Sequence, residues 1–144
     1  MILVNAGDTS QTFYFFLQDS SSTVGAGLQA LAYNTSGLSA YYVKAPDGAA
    51  TSITLASQTY NGSWTSGGFA EVNSSAMSGI YRFDAPDAMV STAGIVILYL
   101  SGAANLAPIP IFIDCRRVPS NIEEINKNTV YGVGTSGDKW RGTA

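Results

Sequence analysis

The 144-residue chain contains no histidine and a single cysteine, Cys115, and only 12% of its residues are charged, about half of the roughly 25% usual in globular proteins. Without histidine there is no side chain titrating near neutral pH, no Ser-His-Asp arrangement and no ordinary zinc site. Neither enzymatic activity nor a resident cofactor or metal is expected. A lone cysteine forms neither an intramolecular disulfide nor a thiolate cluster, so apolar burial has to hold the fold together. Positive charge is also scarce: 7 Lys plus Arg stand against 10 Asp plus Glu, a net charge of -3, with an isoelectric point near 4.6. Such a chain lacks the counterion-releasing surface of a nucleic-acid binder. The longest continuous apolar run, residues 95–100, is far shorter than the roughly 20 residues of a membrane-spanning helix, so no membrane partner is expected. Met1-Ile-Leu-Val4 is followed by Asn5, Ala6, Gly7 and Asp8, without a basic segment or a long apolar stretch. The mature chain is expected to start at Met1.

What is present is apolar material, 46% of the residues, enough for one core but not two. It comes in short β-branched and aromatic stretches punctuated by Gly, Pro, Asn, Asp and Ser, which predicts an all-β sandwich of about seven strands. Residues 11–17 (Thr12, Phe13, Tyr14, Phe15, Phe16, Leu17) are apolar at both phases of a strand and are expected to be covered on both sides. Residues 28–33 are read as a short strand. Residues 38–44 and 50–55 form a hairpin around Ala45-Pro-Asp-Gly48, where Pro presets one dihedral and Gly takes positive φ. Residues 57–68 are polar apart from Tyr60 and Trp64 and predict an exposed loop or a ragged hairpin. Strands follow at 69–72 and 79–84, and Asp84 is expected to cap a helical turn through Pro86, Asp87, Ala88 and Met89. Residues 95–100 predict a central strand buried on both faces, with Ile95, Ile97 and Phe112 in the core beside Phe13, Phe15, Tyr81 and Phe83. Pro108 and Pro110 place the strand at 109–113 at an edge, or put the prolines at its start.

Charge divides the chain. Residues 1–114 hold 2 basic and 7 acidic side chains, net -5, and residues 115–144 hold 5 and 3, net +2. The sandwich is accordingly assigned to residues 1–118. Residues 119–144 are read as a short helical turn, capped in the box Ser120-Asn-Ile-Glu123, followed by an extended glycine-rich arm. The arm's scattered apolar groups are too few to order it alone. Gly132-Val-Gly134-Thr-Ser-Gly137 matches a dinucleotide-binding string only formally, because seven residues remain after it and the motif requires a following helix and an acid about 20 residues on. Ser136-Gly-Asp-Lys139 lacks the partner motifs of a serine acyl-enzyme.

Asp8, Asp19, Glu71, Asp84, Asp87 and Asp114 could in principle supply a carboxylate pair or an oxygen cage, but most fall where Asp caps turns and strand ends. Asn34, Asn61 and Asn73 begin formal glycosylation sequons and are read as turn residues. Among Tyr33, Tyr41, Tyr42, Tyr60 and Trp64, the pair Tyr60 and Trp64 is least explained by packing and forms a candidate glycan-stacking platform.

Five phrases carry a resemblance to a known class: Ser36-Gly-Leu-Ser-Ala-Tyr-Tyr-Val-Lys44, Thr51-Ser-Ile-Thr-Leu55, Gly67-Gly-Phe-Ala-Glu-Val72, Met77-Ser-Gly-Ile-Tyr-Arg-Phe-Asp-Ala-Pro86 and Ala103-Ala-Asn-Leu-Ala-Pro-Ile-Pro-Ile111. Their succession resembles an immunoglobulin-like module of tailed-bacteriophage structural proteins. The step Gly79-Ile-Tyr81, followed by a Pro turn, a Gly and a long apolar strand, is similar to the N-terminal module of baseplate upper proteins. The resemblance implies an immunoglobulin-like antiparallel β-sandwich. It also implies a non-enzymatic virion protein made in the host cytoplasm, either a capsid decoration (cement) subunit or a tail or baseplate adaptor. Its partners would be other virion proteins and copies of itself in a homo-oligomer. Independently of the resemblance, residues 128–144 are expected to be the principal attachment element, through Val130, Tyr131, Val133, Lys139, Trp140 and Arg141, with Trp140 as aromatic anchor. The alternative is a carbohydrate-binding or host-adhesion module using Tyr60 and Trp64.

Overall fold

A computed structural model describes residues 1–117; the expected helical turn and the arm with its six attachment residues lie outside the described residues. Among the described residues, nine strands form two sheets. In chain order they are β1 (Ile2–Asn5), β2 (Thr12–Phe16), β3 (Ser39–Lys44), β4 (Thr51–Ile53), β5 (Ala56–Ser57), β6 (Gly68–Asn73), β7 (Met77–Asp84), β8 (Gly94–Ser101) and β9 (Ile109–Arg116). The five-stranded sheet runs β1-β9-β8-β3-β4 and the four-stranded sheet β2-β7-β6-β5. Pairing is antiparallel except where β1 joins β9 and β5 joins β6. The orders β2-β7-β6 and β9-β8-β3 correspond to B-E-D and G-F-C of an immunoglobulin-like sandwich, with β4 added beside C and β1 beside G.

The two sheets close on each other through alternate residues. The five-stranded sheet contributes Val96, Leu98, Leu100, Ile111, Ile113 and Cys115, and the four-stranded sheet Phe13, Phe15, Phe69, Tyr81 and Phe83, all buried. Phe69 and Tyr81 stack at 5.0 Å with an interplanar angle of 1°. The Tyr81 hydroxyl donates to the Leu28 carbonyl at 2.8 Å and accepts the Leu31 N–H at 3.2 Å, fastening residues 28–31 across the sandwich rim. Burial pushes this phenol up to about 12. Buried Lys44 donates to the Ala88 carbonyl and to the Ser91 and Thr92 hydroxyls at 3.0–3.2 Å. Its charge thereby meets the C-terminal end of the 3-10 turn Asp87–Val90, where a cation is favoured.

The hairpin over residues 38–55, the loop beyond residue 57 and strands β6 and β7 follow the sequence reading. Four expectations need correction. Residues 28–33 form no strand: Ala30 takes φ +61°, which an extended strand cannot contain. Residues 11–17 are not covered on both sides, because β2 is an edge strand with Tyr14 and Phe16 exposed on the outer face. In β8 the buried phase is Val96, Leu98 and Leu100, while Ile95, Ile97 and Tyr99 face outward. Phe112, paired with Ile97, is exposed with them. The run at 95–100 is apolar at both phases although only one face meets the core. Finally, Asp84 caps nothing: the 3-10 turn has Pro86 at its N-cap and no side-chain cap bond, and Asp84 is buried elsewhere. As for the prolines, β9 is internal, but β1 pairs only with its second half, from Ile113 onward, so Pro110 sits at the strand start where no neighbour on that side needs its N–H.

Candidate functional site

Outward-facing residues of the five-stranded sheet line up in rungs set by strand register. Val43, Ile97 and Phe112 are direct partners across β3, β8 and β9, and so are Tyr41, Tyr99 and Pro110. A third rung runs from Ile95 through Asp114 to Leu3 on β1. Cross-strand neighbours at such spacing, about 5 Å, form a continuous surface. Leu3 is 58% exposed, Phe112 46%, Tyr41 42% and Tyr99 41%. The one ionisable acid in the three rungs, Asp114, is neutralised by Arg116, whose Nε lies 2.9 Å from Oδ2. Two shallow apolar grooves flank the middle rung. One, of about 480 Å³, lies between Tyr41, Tyr99 and Ala50; the other, of about 220 Å³, lies between Ile95, Ile97 and Pro46. A face this apolar and this poor in charge has the character of a contact surface.

The opposite sheet is partly roofed. Arg82 and Asp84 project from β7 away from the core, yet both are buried, because residues 58–65 fold over them as a flap. Arg82 Nη1 donates to the carbonyls of Thr59, Tyr60 and Gly62. Asp84 accepts from Arg82, the Thr12 hydroxyl at 2.7 Å, the Gln58 amide at 2.6 Å and the Thr65 N–H at 3.0 Å. Burial alone would raise the Asp84 carboxyl. The Arg82 guanidinium, with the Thr65, Thr12 and Gln58 hydrogen bonds, outweighs it and holds the group below its ordinary value.

Beside the flap, a cleft of about 440 Å³ opens between residues 31–33 and residues 57–61, floored by Phe69, Ala70 and Glu71. Tyr60 and Tyr33 flank it, 58% and 39% exposed. Of the two rings paired in the sequence reading, Tyr60 lines the cleft, whereas Trp64 is not in its lining, and the Trp64 indole N–H is buried without a partner among the described residues. Sequence reasoning names Tyr33 among the candidate rings and Glu71 among the candidate acids but joins neither to Tyr60. Both depend on the left-handed turn at Ala30, whose N–H donates to Glu71 Oε2 at 3.0 Å, and no local motif announces it.

Among the described residues, no three acidic, cysteine or histidine side chains group as metal ligands, and no helix is long and apolar enough to cross a membrane. No family model, curated protein or solved structure matches the chain.

Proposed function

We propose that this chain is a non-enzymatic structural subunit of a tailed-bacteriophage particle, a decoration subunit or a tail or baseplate adaptor, that packs against copies of itself and neighbouring virion proteins. The observation that carries the reading is the three-rung apolar face formed by β1, β9, β8 and β3. That face has little charge to repel a second copy, and its Asp114–Arg116 pair is internally balanced. An apolar face of this kind can pair with its own copy about a two-fold axis, the commonest arrangement of homo-oligomers. The phage assignment rests on the phrase resemblance within residues 27–114, and the scarcity of charge agrees with a protein built to lie against neighbours.

Residues 128–144 are proposed as a second attachment element, in which Trp140 engages a neighbouring subunit while Lys139 and Arg141 meet its acidic surface. The test is incorporation into particles. The full chain is expected to sediment with particles. A folded Phe112→Asp variant is expected to remain free, and deletion of residues 128–144 is expected to reduce incorporation. Absence of the full chain from particles overturns the virion reading; undiminished incorporation of the deletion overturns the role of the arm.

A further inference from the structure

We infer that the cleft between Tyr33 and Tyr60 is a saccharide-binding site, with Glu71 as the acceptor at its floor. The inference is independent of the apolar sheet face, which lies on the other side of the sandwich. Among the described residues, Glu71 is the one carboxylate lining the cleft. Its Oε2 is held by the Ala30 N–H, while Oε1 is buried with no hydrogen-bond partner among the described residues. A buried carboxylate oxygen left unpaired is costly, and turning the Glu71 carboxylate toward the cleft would let a ligand hydroxyl satisfy it with a charge-assisted bond. The two rings at the mouth supply apolar faces for stacking, and Asn61 with the Ser57 and Thr59 hydroxyls adds neutral polar groups to the lining.

One acid among neutral amides and hydroxyls suits an uncharged polyhydroxylated ring better than a cation. A single carboxylate repays poorly the desolvation of an ammonium or guanidinium group. Arg82 makes the site rigid from behind: its grip on the carbonyls of Thr59, Tyr60 and Gly62 fixes the backbone that carries Tyr60, so little order remains to be imposed on binding. Arg82 is thus a positioning residue for the site and does not line it.

The test is calorimetric titration of the full chain with tetrasaccharides of glucose, galactose and N-acetylglucosamine, with tetralysine as the cationic control. At least one tetrasaccharide is expected to bind. Tyr60→Ala, Tyr33→Ala and Glu71→Ala are each expected to weaken it about tenfold or more. Glu71→Gln, which keeps an oxygen for Ala30 and can still hydrogen-bond a hydroxyl, is expected to lose less than Glu71→Ala. Trp64→Phe, outside the cleft, is expected to bind as the parent does. Circular dichroism of Glu71→Gln and of Tyr60→Ala, an exposed position, separates loss of binding from loss of fold. Failure of every tetrasaccharide to bind overturns the inference. So does binding that survives Tyr60→Ala and Glu71→Ala, or binding of tetralysine that vanishes in Glu71→Gln.

Discussion

Arg82 and Asp84 stand two residues apart on β7 and pair on the sheet face turned away from the core, with Nε 2.9 Å from Oδ1. Both side chains are buried, because the flap they organise is also their roof. The relationship is reciprocal: the ion pair supplies donors and an acceptor for loop backbone that forms no strand, and the loop excludes water from the pair. Breaking a buried pair from one side leaves a bare charge, which typically costs about 3–5 kcal/mol. Arg82→Ala is therefore expected to destabilise the fold by about that amount, measurable by urea denaturation, and to increase protease cleavage within residues 58–67. A loss under about 1 kcal/mol would contradict the account.

The same pair sets an acid limit. Asp84 titrates below its ordinary value of 3.8 in the folded chain, so the unfolded chain takes up this proton first as pH falls. The stabilisation is complete above the ordinary carboxylate range and is lost as pH drops below 3.8 towards the folded value. The melting temperature of the parent is expected to fall over that window, and Asp84→Asn is expected to show a shallower fall. Equal acid slopes in the two proteins would remove Asp84 as the cause.

Strand β8 makes a paired prediction about phase. Leu98 is fully buried whereas Ile97 is only half-buried on the outer face. Leu98→Ala is expected to cost about 2–5 kcal/mol as a cavity substitution. Ile97→Ala is expected to cost about 1 kcal/mol or less, since it removes a side chain that borders solvent. Reversed costs would mean that the strand is registered the other way round.

Cys115 lies in the core, 1% exposed. Burial pushes its thiol up, partly opposed by the positive charge of Lys44, so both access and ionisation disfavour reaction. Thiol-specific labelling is expected only in denaturant. Stoichiometric labelling of the native chain within minutes would show that β9 is not seated as described.

The sandwich was legible because its strands are short, apolar and separated by turn residues. The hairpin at Pro46 and Gly48 and the pair β6–β7 could be placed from local chemistry alone. Phase was harder. At Phe13, Tyr14, Phe15 and Phe16, and again from Ile95 to Leu100, both phases are apolar, so alternation carries no signal about which side meets the core. That ambiguity hid the apolar face: Ile95, Ile97 and Phe112 look like core residues in the sequence but face outward. The polar latch was hidden for another reason: Asp84 beside Pro86 has the local look of a helix cap. Its real partners, Thr12 on β2 and Gln58 and Thr65 at the two ends of the flap, are brought together only by the folded topology.

The central claim is that the face bearing Tyr99 and Phe112 joins copies of the chain, and sedimentation velocity tests it most directly. The parent is expected to show concentration-dependent association. Tyr99→Asp with Phe112→Asp, both at exposed positions, is expected to sediment as a folded monomer at every concentration. A parent that stays monomeric throughout the same range, or a double variant that associates as strongly as the parent, would contradict the account.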